Sequence, residues 1–376
     1  MEEGNVTEFN LKNPPQIIFG SLAQGIAALD LIEGGALVLA DASVSHGVEE
    51  LRGVLESQGI QSILYSREGL SANTHFLSET LSLARGGHTQ CIVGLGGDSV
   101  LSLARLTAAA VLGEDGAGSI LRAGISPAPS LPVLEIPIFG RHSLLFHPQA
   151  LMEDLEQKRV VYVPLSLEQR FVAMDSTLSV NRSERGALLS VAGNLAMAVE
   201  AYLAPGAGRL AMAHAQKAIL GAKALLRSSS HSWESPEFRE QELELALFSS
   251  LACGLTQDGP GMRLAWSVAA ATGTHRASCY GVLLPWLLES PLYSSSPRCD
   301  ELIPLLSDGL EDDLWEDPAE VVRELYGSKG LPGRLRDVGV DLQQARSAPA
   351  WALGMNSEER PDLDTVQFQS ILDASS

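Results

Sequence analysis

Hydrophobic and polar positions along the 376-residue chain fall into two textures. Up to about residue 164, short apolar runs alternate with stretches of helical spacing. The runs at 36–40 (ALVLA), 62–65 (SILY), 91–94 (CIVG) and 133–136 (VLEI) predict buried strands, and 44–58 and 78–85 predict helices between them. Strand, helix, strand at this rhythm predicts a parallel sheet with right-handed crossovers. Around 154–163 (DLEQKRVVYV) the texture changes, and from residue 165 the apolar period is helical almost throughout. Segments 186–203, 209–226 and 238–255 are rich in Ala and Leu and long enough for four or five turns. Pro205-Gly206-Ala207-Gly208 and the polar loop 228–236 (SSSHSWESP) separate them. Further helices are expected at 262–272, 282–287, 318–326 and 331–338. The expected class is α/β plus all-α: an α/β domain over 1–164 and an all-helical domain over 165–376, with a cleft between them as the ligand site.

Composition narrows the partners. Apolar residues make up 45% and charged residues 19%, enough for a large core and unlike a disordered chain. Asp and Glu number 46 against 26 Lys and Arg, a formal charge of −20. That disfavours nucleic acid and anionic membrane, since either partner calls for clustered Lys and Arg. The start, Met1-Glu2-Glu3-Gly4, has neither the basic nor the apolar region of a secretory signal, and apolar stretches such as 282–288 are too short to span a bilayer. Four scattered cysteines with no CxxC pair suit reduced thiols, so a cytoplasmic protein is expected. The acidic run 308–320 holds seven carboxylates but lacks the order of a calcium loop; Asp317-Pro318 there reads as a helix cap.

The most informative segment is 90–113, QCIVGLGGDSVLSLARLTAAAVLG. A strand runs into Gly94-Leu95-Gly96-Gly97-Asp98-Ser99, and a helix follows. Glycines at such a turn let the backbone approach a pyrophosphate, and the helix N-terminus offers unpaired N–H groups. Upstream stand Pro14-Pro15-Gln16-Ile17-Ile18-Phe19-Gly20 and a strand ending in Asp41. Downstream stand 194–202 (NLAMAVEAY) and 330–340 (GLPGRLRDVGV). In this order the segments resemble the iron-containing (group III) alcohol dehydrogenases, with glycerol dehydrogenase and dehydroquinate synthase as wider relatives. The resemblance implies a Rossmann-like domain, a helical domain, and NAD(P) with a divalent metal in the cleft. It also implies that Asp41 meets the adenosine ribose, that Gly96, Gly97 and Ser99 lie in the pyrophosphate loop, and that the chain is a homodimer. Read from the residues alone, Asp41 suits either a ribose hydroxyl or an Asx turn after its strand.

The departures from the family pattern are chemical. Asp98 stands where the family has a third glycine. A carboxylate about 4 Å from a diphosphate oxygen costs roughly 1 kcal/mol at water's dielectric and about 4 at an effective value near 20. Asp98 could instead turn inward and cap the helix. The family's later Asp and Lys in this helix are Ser102 and Arg105, and the loop after Ile136-Pro137 carries bulk at Ile138, Phe139 and Leu144–Phe146 with Arg141 and His142. With Glu200-Ala201-Tyr202 as anchor, the metal-binding Asp and His positions hold Gly193 and Met197, the next His position holds Leu264, and only His275 matches a ligand. A thioether is soft and one imidazole cannot hold a catalytic ion, so no metal is expected. Met197 and Trp266 read as core residues filling the space.

No histidine pair has i, i+4 spacing, and no nucleophile elbow occurs. His142 and His275 are the two histidines that the resemblance puts near the cleft. With Arg141, Arg276 and Tyr280 they could form a polar pocket for an anionic small molecule, although basic residues on loops are more often solvated. Three readings follow. The first is a repurposed or inactive protein that keeps the cleft for a small-molecule ligand, with no cofactor required. The second is a metal-independent NAD(P)-dependent reductase with His275, Tyr280 or His142 as proton donor. The third is a non-redox cyclase or lyase acting on a small natural-product-like substrate.

Overall fold

The four apolar runs become neighbours in one sheet. The computed structural model describes residues 14–27, 34–126, 128–138, 144–178, 183–228, 233–256, 258–310, 315–348 and 365–376. Its strands are β1 (Gln16–Phe19), β2 (Ala36–Asp41), β3 (Ser62–Arg67), β4 (Cys91–Gly96), β5 (Val133–Pro137), β6 (Gln149–Asp154), β7 (Arg159–Pro164) and β8 (Arg170–Met174). Six of them form a parallel sheet in the order β1-β8-β5-β4-β2-β3. Strands β4 and β5 are buried at every position, which is why they read as unbroken apolar runs rather than alternating ones.

Helices α1 (Leu22–Ala27), α2 (Ser45–Ser57), α3 (Thr74–Gly86), α4 (Asp98–Ala110) and α5 (Ala117–Ala123) accompany the sheet. Helix α4 is buried along nearly its whole length, and its small residues let it lie close on β4. A Cβ at Gly94 would come within 2.8 Å of the Ala104 Cβ, so this approach requires the glycine. The chain leaves β2 for β3 on one side and returns to place β4 on the other. The carboxyl ends of β2 and β4 therefore flank a topological switch point, where open α/β sheets bind ligands.

Two departures from the expected element string have physical causes. The change of texture at 154–163 belongs to an antiparallel hairpin, β6 paired with β7 from Gln149↔Pro164 to Asp154↔Arg159. Asp154 holds its turn, accepting from Gln157 N and from Arg159 Nε, each at 3.0 Å. The sheet then takes its sixth strand at 170–174, past the 164/165 boundary expected from texture. The helix expected over 331–338 is reduced to one 3-10 turn, Leu335–Val338, since Pro332 and Gly333 break its first half.

The second layer is helical: α6 (Glu184–Leu203), α7 (Arg209–Arg227), α8 (Pro236–Gly254), α9 (Pro260–Thr272), α10 (Arg276–Glu289), α11 (Pro291–Ser294), α12 (Leu302–Ser307) and α13 (Pro318–Gly327), with a last helix at Thr365–Ala374. Asp317 caps α13, accepting from Ala319 N at 2.8 Å with Pro318 in the first helical position. Helix α6 is apolar and long enough to cross a membrane, but it is the buried centre of this layer, packed by α7, α8 and α10. The helical core extends onto the hairpin through Leu151 and Val160.

Sheet, hairpin and α4 are joined by a buried triad of charges. Arg105 of α4 donates to Glu135 Oε2 of β5 at 2.7 Å, and Arg170 of β8 donates to Oε1 at 3.1 Å. The same guanidinium groups reach the carbonyls of Leu144 and Gln149 (from Arg105, 2.7 and 3.1 Å) and of Leu145 (from Arg170, 2.8 Å). Burial, with the like charge of Arg105 second, pulls Arg170 down to about 10 against the attraction of Glu135, so it stays charged at neutral pH. Removing one partner of such a group leaves uncompensated buried charge, which costs about 3–5 kcal/mol. Urea titration of Glu135→Ala is expected to show a loss of about that size. Arg52→Ala, which breaks the exposed Arg52–Glu56 pair, is expected to cost under about 1 kcal/mol.

Candidate functional site

A cleft of about 470 Å³ lies at the switch point, facing the turn between α9 and α10. Asp41, Ser43, Gly97, Asp98 and Ser99 line its sheet side, Leu70 and Ser71 one flank, and Ala270, Thr274, His275 and Arg276 its helical side. Four of the five residues expected to meet a cofactor therefore share one wall. Gly96 is the last residue of β4, and its carbonyl accepts from Ile138 N at 3.2 Å. The Asx turn at Asp41 is present, since Oδ1 accepts from Ser43 N at 2.9 Å, and the residue still lines the cleft.

Asp98 is not the helix cap. Gly97 holds the N-cap position of α4, and Asp98 is the first helical residue, only 7% exposed, on the cleft wall. Its charge lies at the positive end of the helix, where a carboxylate is favoured. It is also where the backbone would approach a diphosphate. The two roles compete for the same few ångströms.

Of the candidate proton donors, His275 is exposed on the cleft wall as the N-cap residue of α10. Tyr280 is not on that wall: five residues beyond His275 it turns into the helical core, 1% exposed. His142 and Arg141 lie outside the described residues.

The positions expected to lack metal ligands are packed shut. Met197 and Leu264 are fully buried in the helical core together with Trp266, whose ring meets Tyr162 edge-on at 5.8 Å. At Gly193, α6 and α10 touch backbone to backbone: a Cβ at Gly281 would lie 2.8 Å from the Ala192 Cβ and 3.2 Å from Gly193 N. Among the described residues no group of three or more His, Cys, Asp or Glu is arranged to hold an ion.

No protein-family model matches the sequence, and no curated protein matches it. Solved structures match it over nearly its whole length. A 1,3-propanediol oxidoreductase superposes with a TM-score of 0.81 at 19% identity, covering 96% of this chain and 98% of that one. The NADH-dependent butanol dehydrogenase A of Thermotoga maritima gives 0.81 at 15% identity, with 98% of each chain covered. An iron-containing alcohol dehydrogenase of Corynebacterium glutamicum gives 0.71 at 16% identity, covering 99% and 97%. The chain has the iron-containing alcohol dehydrogenase fold. At these identities the shared property is the fold, two-layered with the sheet first and the helices second, as the sequence pattern predicts. The positions where the resemblance expects metal ligands hold a glycine, a buried thioether, a buried leucine and one imidazole.

Tyr280 instead belongs to a buried polar cluster that sequence reasoning missed. Glu200 of α6 caps α9, accepting from Met262 N at 3.1 Å, and the Tyr293 hydroxyl donates to the same carboxylate. Tyr280 lies beside it, with Asp258 nearby. Burial pushes the Glu200 carboxyl up to about 7; Tyr280 and the Met262 and Gly261 N–H groups oppose this, and Asp258 adds to it. The folded chain thus keeps a proton that the unfolded chain releases near the ordinary carboxylate value. The resulting stability is complete below that value and is lost as pH rises towards 7. Urea midpoints measured from pH 4.5 to 8 are expected to reveal a fall on the order of 3 kcal/mol that Glu200→Gln abolishes. Identical pH profiles for the two proteins would contradict the assignment.

Proposed function

We propose that this protein is a repurposed member of the iron-type fold, one that keeps the interdomain cleft for a small-molecule ligand but performs no metal-assisted hydride transfer. The carrying observation is the burial of Met197 and Leu264 with the close helix crossing at Gly193, which leaves three of the four positions where the resemblance expects ligands without a side-chain oxygen or nitrogen donor. Asp98 supports the same reading from the sheet side, because it sets a carboxylate against any diphosphate laid along Gly97 and Ser99. No cofactor is then required.

A second reading has its own observation in favour. Asp41, Gly97, Ser99 and His275 line one cavity, which suits an NAD(P)-dependent reductase that works without metal. His275 would hold the proton delivered to the substrate oxygen, and NAD(P) would supply the hydride. The two readings part on nucleotide affinity. Fluorescence titration with NADH is expected to show weak binding to the native chain, and about tenfold tighter binding to Asp98→Gly. Tight native binding, unchanged by that substitution, would favour the reductase. Elemental analysis is expected to find far less than one Fe or Zn per chain, and a stoichiometric ion would overturn both readings.

A homodimer is proposed as well. Among the described residues strand β3 ends the sheet, and its Ile63 and Leu64 are both exposed. Sedimentation is expected to give twice the 40.0 kDa chain mass, and Leu64→Lys is expected to shift the population towards monomer.

A further inference from the structure

Arg276 is the first residue of α10 and part of the cleft wall. Its Nη2 donates to Glu153 Oε1 of β6 at 2.8 Å, and both side chains are nearly buried, 9% and 13% exposed. Glu153 is held in turn, since its N–H donates to Ala72 O at 2.7 Å. The ion pair therefore fixes the guanidinium across the layers. Its other terminal nitrogen, Nη1, is buried with no acceptor among the described residues. A buried donor left unmet costs about 1–3 kcal/mol, and more when it is charged. Such a group on a cavity wall points to a ligand oxygen.

A second feature faces the same place. Helix α10 runs for 14 residues, has no side-chain cap bond at His275 and carries no acidic residue in its first turn. Its first N–H groups thus keep their partial positive charge next to Arg276.

We propose that the Arg276 end of the cleft binds the carboxylate of a small monoanionic organic acid. One carboxylate oxygen accepts from Nη1 and the other faces the first turn of α10. A phosphate suits this place less well. Glu153 already neutralises the guanidinium and occupies Nη2, which leaves one nitrogen rather than a fork. Asp41 and Asp98 on the sheet side oppose a dianion but accept a hydroxyl or ammonium group at the far end of the same molecule. A cavity of about 470 Å³ suits a ligand of that size. The assignment rests on the reading of the cleft as a small-molecule site.

Calorimetry on the full chain tests it with three probes: 3-hydroxybutyrate, its amide and inorganic phosphate. The acid is expected to bind at least about tenfold tighter than the amide, and tighter than phosphate. Arg276→Gln, checked for folding by circular dichroism, is expected to remove that preference. Should this variant fail to fold, Glu153→Gln provides the second arm, because it lifts the counter-charge and is expected to tighten acid binding several-fold. Equal binding of acid and amide, indifference to both substitutions, or no heat from any probe at millimolar concentration would overturn the proposal. Metal content and NADH affinity judge the underlying reading separately. A metal-free chain whose acid binding ignores Arg276 sinks this inference alone.

Discussion

The Arg105–Glu135–Arg170 triad is the constraint on which the rest of the molecule depends. Two guanidinium groups and one carboxylate are removed from water here, and that is tolerable because the carboxylate accepts from both guanidinium groups while these also donate to backbone carbonyls. Those carbonyls belong to 144–149, the approach to the hairpin. The triad therefore fixes three things at once: the seating of α4 on the sheet, the pairing of β5 with β8, and the origin of the hairpin. From α4 follows the position of Asp98, and from the hairpin follows Glu153, which holds Arg276. Both walls of the cleft are thus referred to a single buried cluster that lies outside it.

The cleft has an uneven electrostatic character as a result. Its sheet side carries Asp41 and Asp98, and its helical side carries a neutralised guanidinium and a helix N-terminus. An ordinary dinucleotide site in this fold would present glycine and backbone N–H groups where Asp98 now stands. Asp98 puts a carboxylate in the middle of that wall. Met197 and Leu264 lie apart from that wall, buried in the helical core.

The sheet was legible because parallel strands buried on both faces read as runs of Val, Ile and Leu, as at 91–94 and 133–136. The long helices were legible from their period. The hairpin was not, because its turn supplies the polar residues 156–158 that resemble a linker. Strand β8 begins with Arg170, whose charge hides its place in a core strand. In the cleft, Asp41, Gly97, Asp98 and Ser99 could be grouped because they follow two strand ends at a switch point. The pairing of Arg276 with Glu153 could not, since the partners stand 123 residues apart and no periodicity links them. The inward turn of Tyr280 was hidden for a related reason: its helix was evident, but which side faced the core depended on Glu200, 80 residues away.

The crossing of α6 and α10 has a consequence for how such a protein diverges. Where two backbones touch with only a glycine between them, no side chain exists to be trimmed or enlarged by degrees. Any residue larger than glycine at 281 collides with Ala192, so the two helices must move together or not at all. Novelty has to be written elsewhere, on the loops and strand tips that border the opening. The spacing of the two helices is thereby set by their backbones, whatever side chains border the opening.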